Sequence, residues 1–406
     1  MSDSRIYIAL PLMDELENLP HLLEDLKKQT FSDFQVVVCV NQPDAWWDDP
    51  VKQSICRRNL ATVDLLANSD IDDMVVIDRT SKGKGWDAKH YGVGWARKTV
   101  MDHISKIARP KDILLSLDGD TSFGNCYFHE IVSAFQAFEE IKAIAVPYFH
   151  PMPADNDAAA RAILHYEIYM RHYFLNMLLT GNPYSFTALG SAMACTVDSY
   201  NRIGGITPHK SGEDFYFLQK LRKFGAVLIW LEEKVFPAAR FSDRVFFGTG
   251  PAMIKGSKGD WTAYPIYPTC FFEEVKTTFE KFKPLYQTDE ETPMSAFLQE
   301  KFGENFWEPL RKNARTTQQF ERACQHKIDG LRILQYLKWR HNNHVSNDEE
   351  NLACFMKHYF AEESFVRQTN WAEFNFKTSP LHFLNTLRTF LYEKENRWRK
   401  RIKILR

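Results

Sequence analysis

The chain has 406 residues, a length that suits about two or three domains, and its 44% hydrophobic and 25% charged residues exclude a disordered or collagen-like polymer. Fifty-one Lys and Arg stand against 52 Asp and Glu, for a formal charge of −1. The whole-chain attraction that holds nucleic acid is therefore missing, and any phosphate partner must be met locally. Aromatic residues make up 14%, enough for a large core. The seven cysteines are odd in number and form no CxxC pair, which argues against a disulfide framework or a zinc knuckle and reads as buried thiols in a reducing compartment. The first residues are polar and run straight into a strand-like segment, and no apolar run reaches about 18 residues, so a cytoplasmic protein is expected, at most peripheral to a membrane.

In chain order, residues 5–10 (RIYIAL), 35–40 (QVVVCV), 74–77 (MVVI) and 113–117 (ILLSL) are near-continuous apolar runs, the look of strands buried on both faces of a mainly parallel sheet. Leu at 16, 19, 22, 23 and 26 marks a helix between the first two. This β-α-β alternation predicts an α/β, doubly wound sheet, in which ligands sit beyond the carboxyl ends of the strands. A long aromatic-rich helix is predicted over 155–180, stopped by Gly181-Asn182-Pro183, then a strand over 191–197, a helix over 212–224 and a strand over 227–231. Gly and Pro thicken across 236–268, as in a functional loop or a link to a second unit. Two domains are expected, 1–270 and an α-helical 271–406, where Leu331, Leu334 and Leu337 carry helical spacing. Residues 397–406 interleave six cations with four apolar residues, either a solvated helix end or a surface for docking on an anionic membrane.

Two acidic groups invite chemistry. Asp118-Gly119-Asp120 follows an apolar strand directly, and two carboxylates there repel unless a cation or donors compensate. Mg²⁺ or Mn²⁺, which are held by one or two carboxylates together with substrate phosphates, would supply that cation; Asp-Gly is equally a turn dipeptide. Glu213-Asp214 opens the helix predicted over 212–224, where acids suit the helix N-terminus and where a carboxylate can also be aimed into a cleft.

The first strand and its loop (IYIALPLMDELENL), the QTFSDF before QVVVCV, the LDGD at 117–120, and Gly204-Gly205 followed by Gly212-Glu213-Asp214 together resemble the nucleotide-sugar glycosyltransferases of family 2, with their GT-A fold. The resemblance spans about residues 5–250 and leaves the C-terminal part uncovered. It implies a metal-dependent, inverting transferase that moves a sugar from a nucleoside-diphosphate sugar to a hydroxyl of a glycan or lipid-linked acceptor. By position, Pro11 through Glu15 would form the first nucleotide-contacting loop. Asn41 falls where relatives carry an acid that reads the base, with Asp44 three residues on as a substitute. The segment 92–98, with Arg97, resembles the one that approaches the nucleotide. Asp118 would lie near ribose and metal, Asp120 would coordinate the ion, Asp214 would be the catalytic base, and Glu213 would orient the site or the acceptor.

A downstream His that serves many relatives as a third metal ligand is absent, since no His lies between His209 and His326. Asp243 or solvent would fill that role, and Arg244, with Arg240, would fold over the diphosphate as a lid; a surface ion pair with Asp243 is the simpler alternative. His165 and His172 on the long helix read as packing or as an acceptor platform, and Trp46-Trp47 as an exposed loop near the donor. Two rival readings stand beside the transferase. A sugar-nucleotide pyrophosphorylase usually carries a Gly-rich basic loop after the first strand, whereas residues 11–15 here are acidic and glycine-free. A non-catalytic carbohydrate-binding or scaffold protein would have no need of intact DGD and GED.

Overall fold

In a computed structural model of the chain, the described residues are 4–153, 156–209, 211–240, 249–344 and 346–406. They form two compact units, the first built from residues 1–163, 186–258 and 396–406, the second from 164–185 and 259–395.

The first unit is an α/β structure around an eight-stranded sheet. Its strands are β1 Ile6–Leu12, β2 Phe34–Asn41, β3 Met74–Arg79, β4 Ile113–Ser116, β6 Ile141–Ala145, β7 Met193–Thr196, β8 Ala226–Leu228 and β10 Ile404–Leu405, while β5 Thr121–Phe123 and β9 Val235–Pro237 pair separately as a small antiparallel ribbon. The order across the large sheet is β10-β8-β6-β7-β4-β1-β2-β3. Parallel pairing joins β3, β2, β1 and β4 and also β6 with β8, while β7 and β10 run antiparallel to their neighbours. The apolar runs explain the parallel part: every residue of β1 and β4 is buried, as a strand covered on both faces must be.

Helices α1 Leu19–Lys27, α2 Gln53–Ala67, α3 Val93–Ile107, α4 Tyr127–Ala137, α5 Asp157–Leu179, α6 Val197–Arg202, α7 Glu213–Phe224 and α8 Thr249–Ser257 follow in chain order. Helix α1 buries Leu19, Leu22, Leu23 and Leu26, the stripe legible in the sequence, with Pro20 in its first turn, where the missing N–H costs nothing. The strand predicted over 191–197 stops at Thr196 because its hydroxyl caps the next helix, accepting from the Ser199 N–H.

The second unit is helical, with Thr269–Glu280, Ser295–Phe302, Thr317–Lys327, Gly330–Asn342 and Asp348–Phe360 among its elements. Thr316, Asp329 and Asn347 cap three of these helices by accepting the N–H three residues on. Among its buried charges four meet in one group: Arg171 donates to Glu395 (2.9 Å) and Glu167 (3.3 Å), and Arg388 lies 3.3 Å from the other oxygen of Glu167. His165 is stacked between Trp261 and Phe376, with ring centroids 3.8 and 3.7 Å away, and burial lowers its pKa to about 3. His172, likewise buried, meets Asn176 at 3.0 Å.

The basic C-terminal run is solvated at Arg397, Lys400, Arg401, Lys403 and Arg406, as the first reading expects, but Arg399 is not. The last helix, Leu381–Ile402, carries Arg399 into the interior, where its guanidinium donates to the carbonyls of Ile229 (2.8 Å) and Ala145 (3.5 Å). Ile404 and Leu405 then pair with Leu228 and Val227 at the sheet edge. Two apolar residues beyond the helix favour an unfilled strand edge over solvent. Among the described residues no helix is long and apolar enough to cross a membrane. The thiols also differ from expectation: Cys39, Cys56, Cys195 and Cys324 are buried, whereas Cys126, Cys270 and Cys354 are exposed, and all seven are free.

Candidate active site

Strand order reverses around β1, because the chain steps outward through β2 and β3 and returns with β4 on the other side. A reversal of this kind opens a crevice at the carboxyl ends of the two central strands. The loops that follow β1 and β4 carry Asp14-Glu15 and Asp118-Gly119-Asp120.

Local bonds hold the first loop. Pro11 is buried within β1, opposite Cys39. Asp14 sits at φ 60°, a left-handed conformation that Asp tolerates better than most residues. Its N–H donates to Asn59 Oδ1 (2.7 Å), and its carboxylate accepts a fork from Arg58 (2.5 and 3.0 Å). Buried Glu15 accepts from Asn18 Nδ2 (2.8 Å) and from the Arg240 guanidinium. Asn41, at the end of β2, donates to the Leu12 carbonyl (2.9 Å) and accepts from the Gly92 N–H (3.2 Å), tying β1 to the start of α3. Asp44 accepts the N–H groups of Gly83 (2.7 Å) and Gly85 (3.4 Å).

A polar cluster not foreseen in the sequence lies beside these residues. Gln42 is buried, donates to the Thr80 carbonyl (3.1 Å) and accepts from Asn59 Nδ2 (2.8 Å) and Thr80 Oγ1 (2.6 Å). Trp47 Nε1 donates to the same Thr80 carbonyl (2.9 Å), and Trp46 packs edge-on against Tyr91. Asp78 resists its burial: the Ser81 hydroxyl, the N–H groups of Ser81 and Thr80, and Lys84 bring its carboxyl down to about 2. The available signal was a polar pair, Asn41-Gln42, directly after an apolar strand.

Gly119 permits the acidic tripeptide to fold against the first loop. A Cβ there would lie 2.6 Å from Leu12 Cδ2 and 2.9 Å from Glu15 Cγ. Asp118 accepts from Arg97 Nη2 (2.8 Å), and its side chain remains 32% exposed. Asp120 pairs with Arg240 at 2.7 Å, so one guanidinium bridges Asp120 and Glu15. The ribbon of β5 and β9 makes that bridge: Thr121 is registered with Pro237, and the Ala238 N–H donates to the Asp120 carbonyl (3.0 Å). Asp243 and Arg244 lie outside the described residues.

The second acid pair opens α7 behind Gly212, whose φ of 77° is a glycine conformation. Glu213 is buried and accepts from Arg97 Nε (3.2 Å). Asp214 accepts the Phe215 N–H (2.8 Å), yet burial and the neighbouring Glu213 carboxylate hold its pKa well above the usual carboxylate range, against the pull of Arg97. Arg97, expected at the nucleotide, is 1% exposed and spends its donors on protein acceptors.

The residues fit a hard divalent cation in two respects. Asp118 and Asp120 supply oxygen donors, and Asp120 already holds a cation in the Arg240 guanidinium. Among the described residues no three or more Asp, Glu, His or Cys gather as a ligand set, so substrate oxygens or water would complete the shell, the usual habit of Mg²⁺.

No family model matches the sequence, and no curated protein matches it significantly. Solved structures similar to it include S. aureus TarS, residues 1–349 in complex with UDP-GlcNAc, at 12% identity and a TM-score of 0.39 over 98% of this chain and 92% of that one. Another is the mannosyltransferase PcManGT from Pyrobaculum calidifontis in complex with GDP-Man and Mn²⁺, at 11% identity and a TM-score of 0.34 over 97% and 87%. A third is a mycobacterial protein, at 13% identity and a TM-score of 0.34 over 63% and 76%.

Proposed function

We propose that the chain is a metal-dependent glycosyltransferase that moves a sugar from a nucleoside-diphosphate donor to a hydroxyl of a glycan or lipid-linked acceptor, with inversion at the anomeric carbon. The observation that carries this reading is the convergence, through Arg97, of an acidic tripeptide at the strand-order reversal and an acid pair at a helix start. Two carboxylate groups with different environments are what a single displacement requires, one beside the leaving group and one beside the nucleophile.

Asp118 and Asp120 would hold Mn²⁺ or Mg²⁺, which when bound neutralises charge growing on the departing nucleoside diphosphate. Asp214 takes the proton of the acceptor hydroxyl as its oxygen forms the new bond to the anomeric carbon and the bond to the diphosphate oxygen breaks. A base with a raised pKa suits that role, because its proton affinity approaches that demanded near neutral pH. Glu213 holds the turn that presents Asp214. The loop from Pro11 to Glu15 and Asn41 shape the nucleotide side, and Arg240 offers the diphosphate a guanidinium once Asp120 is otherwise neutralised.

A thermal-shift panel of UDP-, GDP-, dTDP- and CDP-sugars, with and without Mn²⁺, tests the reading. A ligand raises stability by RT ln(1 + [L]/Kd), so the true donor should raise Tm and do so chiefly with metal present. No shift with any nucleotide, or equal shifts without metal in wild type and Asp120→Ala, would sink it.

A further inference from the structure

Arg97 stands in the second turn of α3 with no access to solvent worth naming, and every nitrogen of its guanidinium is used. Nε donates to Glu213 Oε1 (3.2 Å), Nη2 to Asp118 Oδ1 (2.8 Å), and Nη1 to Ser116 Oγ (2.6 Å) and the Gly190 carbonyl (3.0 Å). The Ser116 hydroxyl donates in turn to the same Gly190 carbonyl (2.6 Å). Space around the group is cut to fit: a Cβ at Gly190 would sit 2.3 Å from Nη2 and 3.0 Å from Asp118 Oδ2. Gly190 has no left-handed φ, so glycine is required there by room and not by torsion. A buried ion pair adds little net stability over apolar packing, and its best-attested use is to fix one arrangement. A planar fork suits that use better than an ammonium on a flexible stem.

We propose that Arg97 is a positioning residue for sugar transfer, setting the separation between Asp118 on the donor side and the Glu213-Asp214 turn on the acceptor side without touching either substrate. The inference rests on the transferase reading above. It assigns Arg97 a role inside the protein in place of a nucleotide contact.

Two variants of the full chain test it. Arg97→Lys keeps the charge but cannot span the fork, and Gly190→Ala leaves every charge in place while pushing the guanidinium aside. With the donor from the nucleotide panel, kcat per folded protein should fall about 10- to 100-fold in each variant with KM for donor moving less than about threefold, since small misplacements of reacting groups act on the transition state. The double variant should be no worse than the poorer single one, because both break the same fork. Wild-type kcat in a folded variant, a loss confined to KM, or a double variant whose loss is the product of the two would overturn the proposal. A readout free of turnover separates its failure from failure of the transferase reading: unfolding midpoints of Asp118→Asn and Glu213→Gln should be non-additive with Arg97 present and additive with Arg97→Lys. Additivity in both backgrounds refutes the link even if transfer is found, whereas coupling without any transfer sustains the link and removes the activity.

Discussion

Replacing Asp214 by Asn should lower activity and raise stability together. The side chain keeps its shape and still accepts the Phe215 N–H, but it no longer carries a charge where burial and Glu213 disfavour one. Because the folded-state pKa is raised, the folded chain binds more protons than the unfolded chain between the ordinary aspartate value and the raised one, so stability falls as pH climbs through that window. Above it the ionised carboxylate exacts its full cost, and the Asn variant is relieved of it. Each pH unit by which the midpoint is displaced is about 1.4 kcal/mol. One such unit is roughly 3–5 °C in Tm for a unit of this size. Thermal unfolding at pH 8 should therefore show the variant more stable than wild type, with the gain vanishing near pH 4, where both are neutral. Transfer should fall by about 10²–10⁴, the usual contribution of a general base. A variant that is less stable at pH 8, that gains equally at pH 4, or that keeps full transfer would refute the argument.

Two further outcomes are expected. Arg399→Ala deprives the carbonyls of Ile229 and Ala145 of their buried donor and should cost about 1–3 kcal/mol in urea unfolding; an unchanged midpoint would show that these two bonds contribute nothing net. Arg171→Met leaves Glu167 and Glu395 with Arg388 as the one remaining arginine of the four-charge group and should destabilise the second unit by about 3–5 kcal/mol, read by tryptophan fluorescence, with a loss under about 1 kcal/mol counting against it.

The parallel half of the sheet was readable because burial on both faces leaves no room for polar alternation, as QVVVCV and ILLSL display. The acids at 118–120 and 213–214 were readable because charge directly after an apolar strand or at a helix start breaks the local pattern. Partnerships were not. Nothing near Arg97 in the sequence names Glu213, 116 residues away, and Arg240 reaches Asp120 only because a three-residue ribbon brings the chain back. The direction of β7 was equally hidden, since MACT has the same apolar look in either orientation.

The edge strand β10 has a consequence for how the polypeptide reaches this state. The sheet unit needs residues 396–406, which leave the ribosome after the entire helical unit has emerged. A nascent chain can assemble β1 through β4 early, yet β8 stays an open edge until residues 404–405 have emerged, and open edges recruit other strands. Production of the sheet unit alone would therefore call for replacing residues 164–185 by a linker and grafting residues 396–406 behind residue 258, and protein cleaved ahead of β10 should be recognised first by self-association of otherwise folded protein.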